Sequence, residues 1–370
     1  MKISNSAINT FTSCGQKYYY SYVKGYKSIW ESSALRFGSA IDGALNHMLL
    51  NYKDSNDIVH DTKLIFEQEW ISQKGRGGQI VHIETNPYLE YADSDFDKDL
   101  LDEADLQKLS MIYQEWESIF DSIKRKKKAV GWENVPENDR SFYNFVNWLS
   151  LRQKGRVLIE AYHKYILPQI DEVLDVQRHV SVDNGSGSIL HGYVDLVVRL
   201  KDGSVAVMDN KTSSIEYKQD SAVYSPQLTL YMMLLNNMDL PYKVEKVGYI
   251  VLRKGILKTK TKVCKSCGYQ ANEGSTHKTC NNTTAEGKRC GGEWGVTLQK
   301  DVDFQFITAT PPETFQEDLL TNINVINTLI KSGLYAKNYN ACMNSYGKPC
   351  EFLKICRKEL TEDPNLVIKD

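Results

Sequence analysis

Apolar residues recur at helical spacing over residues 34–50, where Phe37, Ile41, Ala44, Leu45, Met48 and Leu49 fall on one stripe. Residues 51–104 break that pattern. They are polar and irregular, and the acidic run from Asp93 to Asp105 reads as solvated surface. A second amphipathic helix follows, with Leu106, Leu109, Ile112, Trp116, Ile119 and Ile123 three or four apart. It ends in Lys124-Arg125-Lys126-Lys127-Lys128, cations that suit the negative end of a helix dipole or, alternatively, contact a DNA backbone. Residues 147–170 read as a further helix that stops near Pro168. From about residue 174 the period changes to that of strands: Leu174–Val182, Ile189–Leu200 and, after the turn Lys201-Asp202-Gly203, Val205–Lys211. A helix over about 225–237 and a strand over Lys246–Lys254 come next. Strand-like residues resume over Trp294–Thr308, before a helix over 312–332. Antiparallel strands, then a helix and another strand, flanked by helices, predict an α/β (α+β) core.

Composition narrows the class. At about 150 residues per domain, the 370 residues suggest two to three domains, and 41% hydrophobic with 25% charged residues is ordinary for a globular chain. Lys and Arg number 45 and Asp and Glu 47, a net charge of −2, which excludes a uniformly basic nucleic-acid coat. Apolar runs such as Tyr231–Leu235 fall far short of the ~18 residues of a membrane span. The N-terminal segment has no apolar signal-peptide core, so the expectation is a soluble, cytoplasmic protein with no membrane partner. In a reducing cytosol the eight cysteines are more apt to bind metal than to form disulfides, and eight divides into two sites of four.

The chemistry centres on Gly192-Tyr193-Val194-Asp195 and Met208-Asp209-Asn210-Lys211. Residues i and i+2 of a strand share a face, so Asp209 and Lys211 project together. A three-residue turn with Gly203 left-handed pairs Leu200 with Ser204 and places Asp195 directly across from Asp209. Two opposed carboxylates repel unless a cation lies between them, and Mg²⁺ or Mn²⁺ fits because it takes carboxylate oxygens and keeps waters for phosphates. A lysine beside that ion orients the attacking water and stabilises charge on a phosphate. A surface hairpin whose charges face solvent has the same spacing.

These residues resemble a known family. Gly-x-x-Asp, then Asp-x-Lys, then Gln227-x-x-x-Tyr231 on the next helix, is similar to the RecB-like branch of the PD-(D/E)XK nucleases, as seen in CRISPR-associated exonucleases. Ser4 and Cys14 followed by Lys17-Tyr18-Tyr19-Tyr20, and Phe37-Gly38-Ser39-Ala40-Ile41-Asp42, extend the resemblance. It implies a restriction-endonuclease-like mixed sheet flanked by helices. It also implies Asp195 and Asp209 as metal ligands, with the backbone carbonyl of Asn210 beside them, and Lys211 as the catalytic lysine. Gln227 and Tyr231, one helical turn apart, would hold the active site and the DNA strand, though their spacing is also that of simple helix packing. Where the family usually has histidine in its first-helix motif, this chain has Asp42, either an oxygen ligand suited to Mg²⁺ or a corner left unused. His47 reads as an ordinary, partly buried histidine.

Cys264-x-x-Cys267, followed by Cys280 and Cys290, resembles a zinc ribbon in an insertion, with His277 as a substitute ligand because nine residues separate Cys280 from Cys290. Lys254, Lys258, Lys260, Lys262 and Lys265 flank it, either as a DNA-contacting finger or as a solvated surface. Cys14 with Cys342, Cys350 and Cys356 resembles the [4Fe–4S] staple of the same nuclease branch, which would join the two ends of the chain. The implied division is an N-terminal helical part of the nuclease core (1–54), a helical insertion (55–150), the nuclease core (151–258), a zinc-ribbon-like insertion (259–296) and a C-terminal part of the core (297–370). Clustered tyrosines at 18, 19, 20, 22 and 26 suit core packing, with base stacking the alternative. The resulting expectation is a metal-dependent DNA nuclease, an exonuclease on DNA ends or single strands in recombination, repair or phage DNA processing. An endonuclease and a non-catalytic DNA-binding protein are the alternatives. No Gly-x-x-x-x-Gly-Lys-Ser/Thr is present, so unwinding would fall to a helicase or recombination partner.

Overall fold

A computed structural model describes residues 1–72, 82–83, 122–123, 125–126, 134–183, 185, 187–254, 260–267, 269, 277–283, 287–298, 304–343 and 349–368. The acidic run Asp93–Asp105, nearly all of the helix expected over 106–123, and Lys258 lie outside these residues.

The chain opens with β1 (Lys2–Ser4), α1 (Asn5–Ser13), the short α2 (Gly15–Tyr18) and a π-helical turn (Tyr19–Val23). Two short strands, β2 (Tyr26–Ser28) and β3 (Trp30–Glu31), precede the long helix α3 (Ser33–Asn51). Ser32 caps α3 by accepting from Leu35 N at 3.3 Å, and all six residues of its predicted stripe are buried.

Residues 51–104, read as irregular, begin with a helix the pattern did not announce: α4 (Ile58–Ile71), capped by Asp57. Its buried face mixes Ile58, Phe66 and Trp70 with Thr62 and Glu67, so no clean apolar stripe survives in the sequence. Glu67 accepts from Arg152 Nε and lies 3.7 Å from Arg156 Nη1, which makes its burial tolerable. Phe66 stacks on Trp70 and meets Phe37 edge-on, tying α4 to α3.

After β4 (His82–Ile83) comes α5 (Glu137–Ala161), ten residues longer at its start than expected. It runs into a π-helical turn (Tyr162–Ile166) and a 3-10 turn (Leu167–Gln169) around Pro168. Then follow β5 (Ile170–Asp183), β6 (Ile189–Leu200), β7 (Val205–Ser213), α6 (Asp220–Val223), α7 (Pro226–Asn236) and β8 (Lys246–Arg253). The remainder is β9 (Lys260–Cys264), β10 (Trp294–Leu298), β11 (Phe304–Ala309), α8 (Glu313–Lys331), α9 (Leu353–Cys356) and β12 (Leu366–Ile368).

Six strands form the main mixed sheet. β5, β6 and β7 run antiparallel in sequence, α7 crosses over to bring β8 parallel to β7, and β11 closes the edge antiparallel to β8. Helices α1, α7 and α8 cover one face, with Val194, Val197, Val205 and Val207 beneath them. Helices α3, α4 and α5 cover the other, over Leu196, Val198, Ala206 and Met208. This is a restriction-endonuclease-like arrangement. No helix among the described residues is long and apolar enough to cross a membrane.

One feature of the pairing positions the site. β5 pairs along nearly all of β6, so β1 and β7 must share the other edge of β6: β1 takes Ile189–His191 and β7 takes Leu196–Arg199. The edge between them, Gly192–Asp195, is a fork.

Because α4 belongs to the same core as α3, Phe66→Ala should cost about 3–5 kcal/mol in urea unfolding of the full chain. A shift within about 0.5 kcal/mol, typical of a solvated surface segment, would show that residues 58–71 pack as a separate insertion.

Candidate active site

The hairpin turn between β6 and β7 decides the site. Gly203 N donates to Leu200 O and Leu200 N donates to Ser204 O, both at 2.9 Å, with Gly203 at φ 85°. The ladder then pairs Arg199 with Val205 and continues to Leu196 with Met208. Asp195 and Asp209 are the next residues on each strand and stand opposite each other where the fork opens.

Asp209 is 2% exposed, and Lys211 Nζ lies 2.5 Å from its Oδ2. Among the described residues, no hydrogen-bond donor reaches its buried Oδ1. Asp195 is pushed up to about 9: burial is the largest cause, followed by a hydrogen bond to Asp209 and the charges of Asp209 and Asp42, while Lys211 pulls the other way. Without a cation, burial and its neighbours' charges therefore favour the protonated form of Asp195. Lys211 is held above its ordinary value. Burial alone would depress it, but the carboxylates of Asp209 and Asp195 outweigh that, so it is a charged group and not a base.

Asp42 on α3 is close enough to Asp195 and Tyr162 to raise both electrostatically, so the structure brings it to the same corner as the hairpin carboxylates. Tyr231 on α7 also reaches the site. Burial, then the negative charges of Asp195 and Asp209, raise its phenol, and it shares a hydrogen bond with Gln227 one turn earlier. Gly192 permits this approach: a Cβ there would lie 2.7 Å from Tyr231 Cε1. Ser225 caps α7 by accepting from Leu228 N and shares a 2.7 Å hydrogen bond with Tyr249 OH. Tyr249 registers beside Asp209 in the β7–β8 ladder, so helix and strand are pinned together at the site.

Two further residues escaped sequence reasoning. Tyr162, fully buried in the π-helical turn after α5, donates to Asn210 Oδ1 at 3.3 Å. In the sequence it is one more aromatic on a helix. Gln177 on β5 lies with its Nε2 3.5 Å from Asp195 Oδ1. Nothing in its neighbourhood sets it apart from other polar strand residues. His47, as expected, is partly buried, and among the described residues its hydrogen bonds are local, to Asn51.

The profile of the PD-(D/E)XK nuclease superfamily matches residues 2–357, nearly the whole chain. The chain belongs to the PD-(D/E)XK nuclease superfamily. No curated protein matches it. Membership implies a nuclease acting on DNA with divalent metal ions. The carboxylates fit such an ion: two opposed, largely buried acids, one with an oxygen no donor satisfies, are a hard-cation donor set.

The cysteines form two groups. The sulfurs of Cys264, Cys267, Cys280 and Cys290 all lie within 4.8 Å of one another, with Cys264–Cys290 and Cys267–Cys280 both at 3.7 Å. A tetrahedral ion with bonds of about 2.3 Å sets its sulfurs about 3.8 Å apart, so a single metal ion fits. Nine intervening residues are no obstacle. They double back through a Thr283–Arg289 bridge, and Cys290 N donates to Asn282 O. His277 stands outside this group, and its carbonyl accepts from Trp294 Nε1. Cys264 is lowered to about 6: burial opposes this, but backbone N–H groups of Cys267 and Ser266 donate to its sulfur and outweigh it.

Cys14, Cys342, Cys350 and Cys356 line one cavity with Gln16, Lys17, Tyr20 and Phe352. Their sulfurs do not gather as closely as the first four. The N- and C-terminal segments meet here: Gln16 N donates to Ala336 O at 3.2 Å, and Asn338 N donates to Cys14 Sγ at 3.4 Å.

Asp195 must lose its proton for both carboxylates to hold a cation. Divalent affinity of the metal-free protein should therefore rise about tenfold per pH unit below about 9, with proton release on binding. The folded value lies above the unfolded one, so Asp195 also removes stability from the metal-free protein as pH rises from about 4 towards 9. Mn²⁺ titrations at pH 6.5, 7.5 and 8.5 test the first statement; a pH-independent affinity would contradict it.

Proposed function

We propose that this protein is a RecB-like exonuclease that hydrolyses DNA from ends or in single-stranded form, with a [4Fe–4S] cluster and a zinc-ribbon insertion as scaffold. The observation that carries the branch is the convergence of Cys14 with Cys342, Cys350 and Cys356 on one cavity, across 342 residues of chain between Cys14 and Cys356. An iron–sulphur cube is wider than a single ion, so its thiolates stand farther apart than those around zinc. Closing so long a loop would also constrain the unfolded chain, which suits a structural role.

At the active site, Asp195 and Asp209 would hold Mg²⁺ or Mn²⁺, with the Asn210 carbonyl and Asp42 adjoining. The bound ion supplies Lewis-acid activation of the phosphate and a lowered pKa for the attacking water. Lys211 enters charged, so its part is to orient water and neutralise the phosphate's developing negative charge. Gln227 and Tyr231 hold the strand against the carboxylates, and Tyr162 keeps the Asn210 side chain in place. Water adds to phosphorus and gives up a proton to solvent, the bond to the leaving oxygen breaks, and that oxygen takes a proton from solvent as it leaves. Recombination, repair or phage DNA processing is the setting this activity suits, with unwinding supplied by a helicase partner.

End-labelled single- and double-stranded DNA should shorten progressively from an end with Mn²⁺ or Mg²⁺, and Lys211→Ala should reduce the rate at least a hundredfold (about 3 kcal/mol of transition-state stabilisation). Cutting within a closed circle would replace the exonuclease with an endonuclease. DNA bound but uncut by metal-loaded protein would make it a binding protein. Protein purified without oxygen should carry about four iron atoms and one zinc per chain. Cys342→Ser should lose the iron and keep the zinc, and Cys267→Ser the reverse. Loss of one metal type from both variants would refute two separate sites.

A further inference from the structure

Gln177 is one of two non-glycine residues with a positive φ among the described residues, at 51° in the middle of β5. A glutamine gains nothing locally from that conformation, which L side chains rarely adopt, so the surrounding structure must impose it. The face pattern of the two paired strands shows what it does. On β5, Val182 and Val180 pack under α1, α7 and α8, yet Val176, four residues from Val180 and due on the same face, packs on the opposite side. On β6, Leu190 and Val194 face α7, whereas Leu196, Val198 and Leu200 face α3. The register is the same on both sides of the change, with Arg178 across from Val194 and Val176 across from Leu196. The pleat therefore reverses on both strands at one level, that of Gln177 and Asp195.

The reversal matters because of where Asp195 must point. In an unbroken pleat continuing from Val194, Asp195 would face α3 and turn away from Asp209. With the reversal it stands between the layers and meets Asp209, Lys211 and Tyr231 on one side and Asp42 on the other. The neighbours of Gln177 lock the kink. Arg178 Nη1 donates to both oxygens of Asp175 at 2.9 and 3.1 Å, and Tyr242 OH donates to Asp175 Oδ2 from the loop before β8. A register shift between Val173 and Asp175 precedes it.

We infer that Gln177 is a positioning residue for Asp195: its left-handed backbone reverses the pleat that aims the carboxylate into the fork, and its amide orients Asp195 Oδ1 from the opposite strand. The inference rests on the reading of Asp195 as a metal-holding carboxylate. Groups that orient a ligand from behind typically contribute ten- to a hundredfold in metal affinity.

Two substitutions separate backbone from amide. Gln177→Gly accepts the positive φ and removes the amide; Gln177→Met keeps the size and removes only the amide. Both should leave the melting temperature of the metal-free protein within a few degrees of the parent. Both should weaken Mn²⁺ binding, followed by electron paramagnetic resonance on the full-length protein, about tenfold or more. Gln177→Val, whose branched side chain resists positive φ, should lower the melting temperature by several degrees as well. If the glycine and methionine variants bind Mn²⁺ as the parent does, the inference fails. If the parent itself binds no Mn²⁺, the reading of the metal site fails instead. Should the glycine variant not fold, the methionine variant still decides the role of the amide.

Discussion

Two carboxylates held face to face in a largely dry fork are the constraint around which this protein is arranged. Asp195 and Asp209 stand where no ladder hydrogen bond joins β6 to β7, and with burial their repulsion exceeds what one lysine offsets. The surroundings hold that arrangement in place. The tight turn at Gly203 sets the register, and β1 and β7 together take the edge of β6 on either side of the fork. Tyr231 closes over Gly192, and Ser225 with Tyr249 anchors the helix that carries it. Each contact fixes a side chain that would otherwise move away from its neighbour's charge. A bound cation would resolve the conflict that the fold maintains.

The cysteine groups have a different physical task. Among the described residues, the first draws together the end of β9, the start of β10 and the turns at 280 and 290, where a metal ion would add stability. The second lies where the segment after α1 meets the residues that follow α8, at a point where Gln16 N already donates to Ala336 O and Asn338 N to the Cys14 sulfur. Both lie outside the carboxylate fork.

Much of this was legible in the sequence because it follows from short spacings. Asp209 and Lys211 share a face by strand period, and three turn residues are enough to bring Asp195 opposite. Gln227 and Tyr231 are one helical turn apart, and Cys264-x-x-Cys267 has the spacing of a metal knuckle. What was not legible depends on contacts distant in the chain or on backbone conformation. The buried Thr62 and Glu67 erase the stripe of α4, because Arg152 and Arg156, some 85 to 89 residues away in the chain, are what make Glu67 acceptable there. β1 is three residues paired across nearly 190 positions, too short to carry a pattern. Gln177 owes its role to a φ that its own side chain does not favour, and Tyr162 to a π-helical turn that rotates it onto Asn210. Side-chain type and period cannot announce either.

The central claim is that the fork between Asp195 and Asp209 is a divalent-cation site. The most direct test is diffraction from crystals grown with Mn²⁺, with anomalous differences measured at the manganese absorption edge. The account predicts a peak between the two carboxylates, with Lys211 Nζ drawn away from Asp209. A map with no peak there, and with Lys211 Nζ still against Asp209, would contradict it.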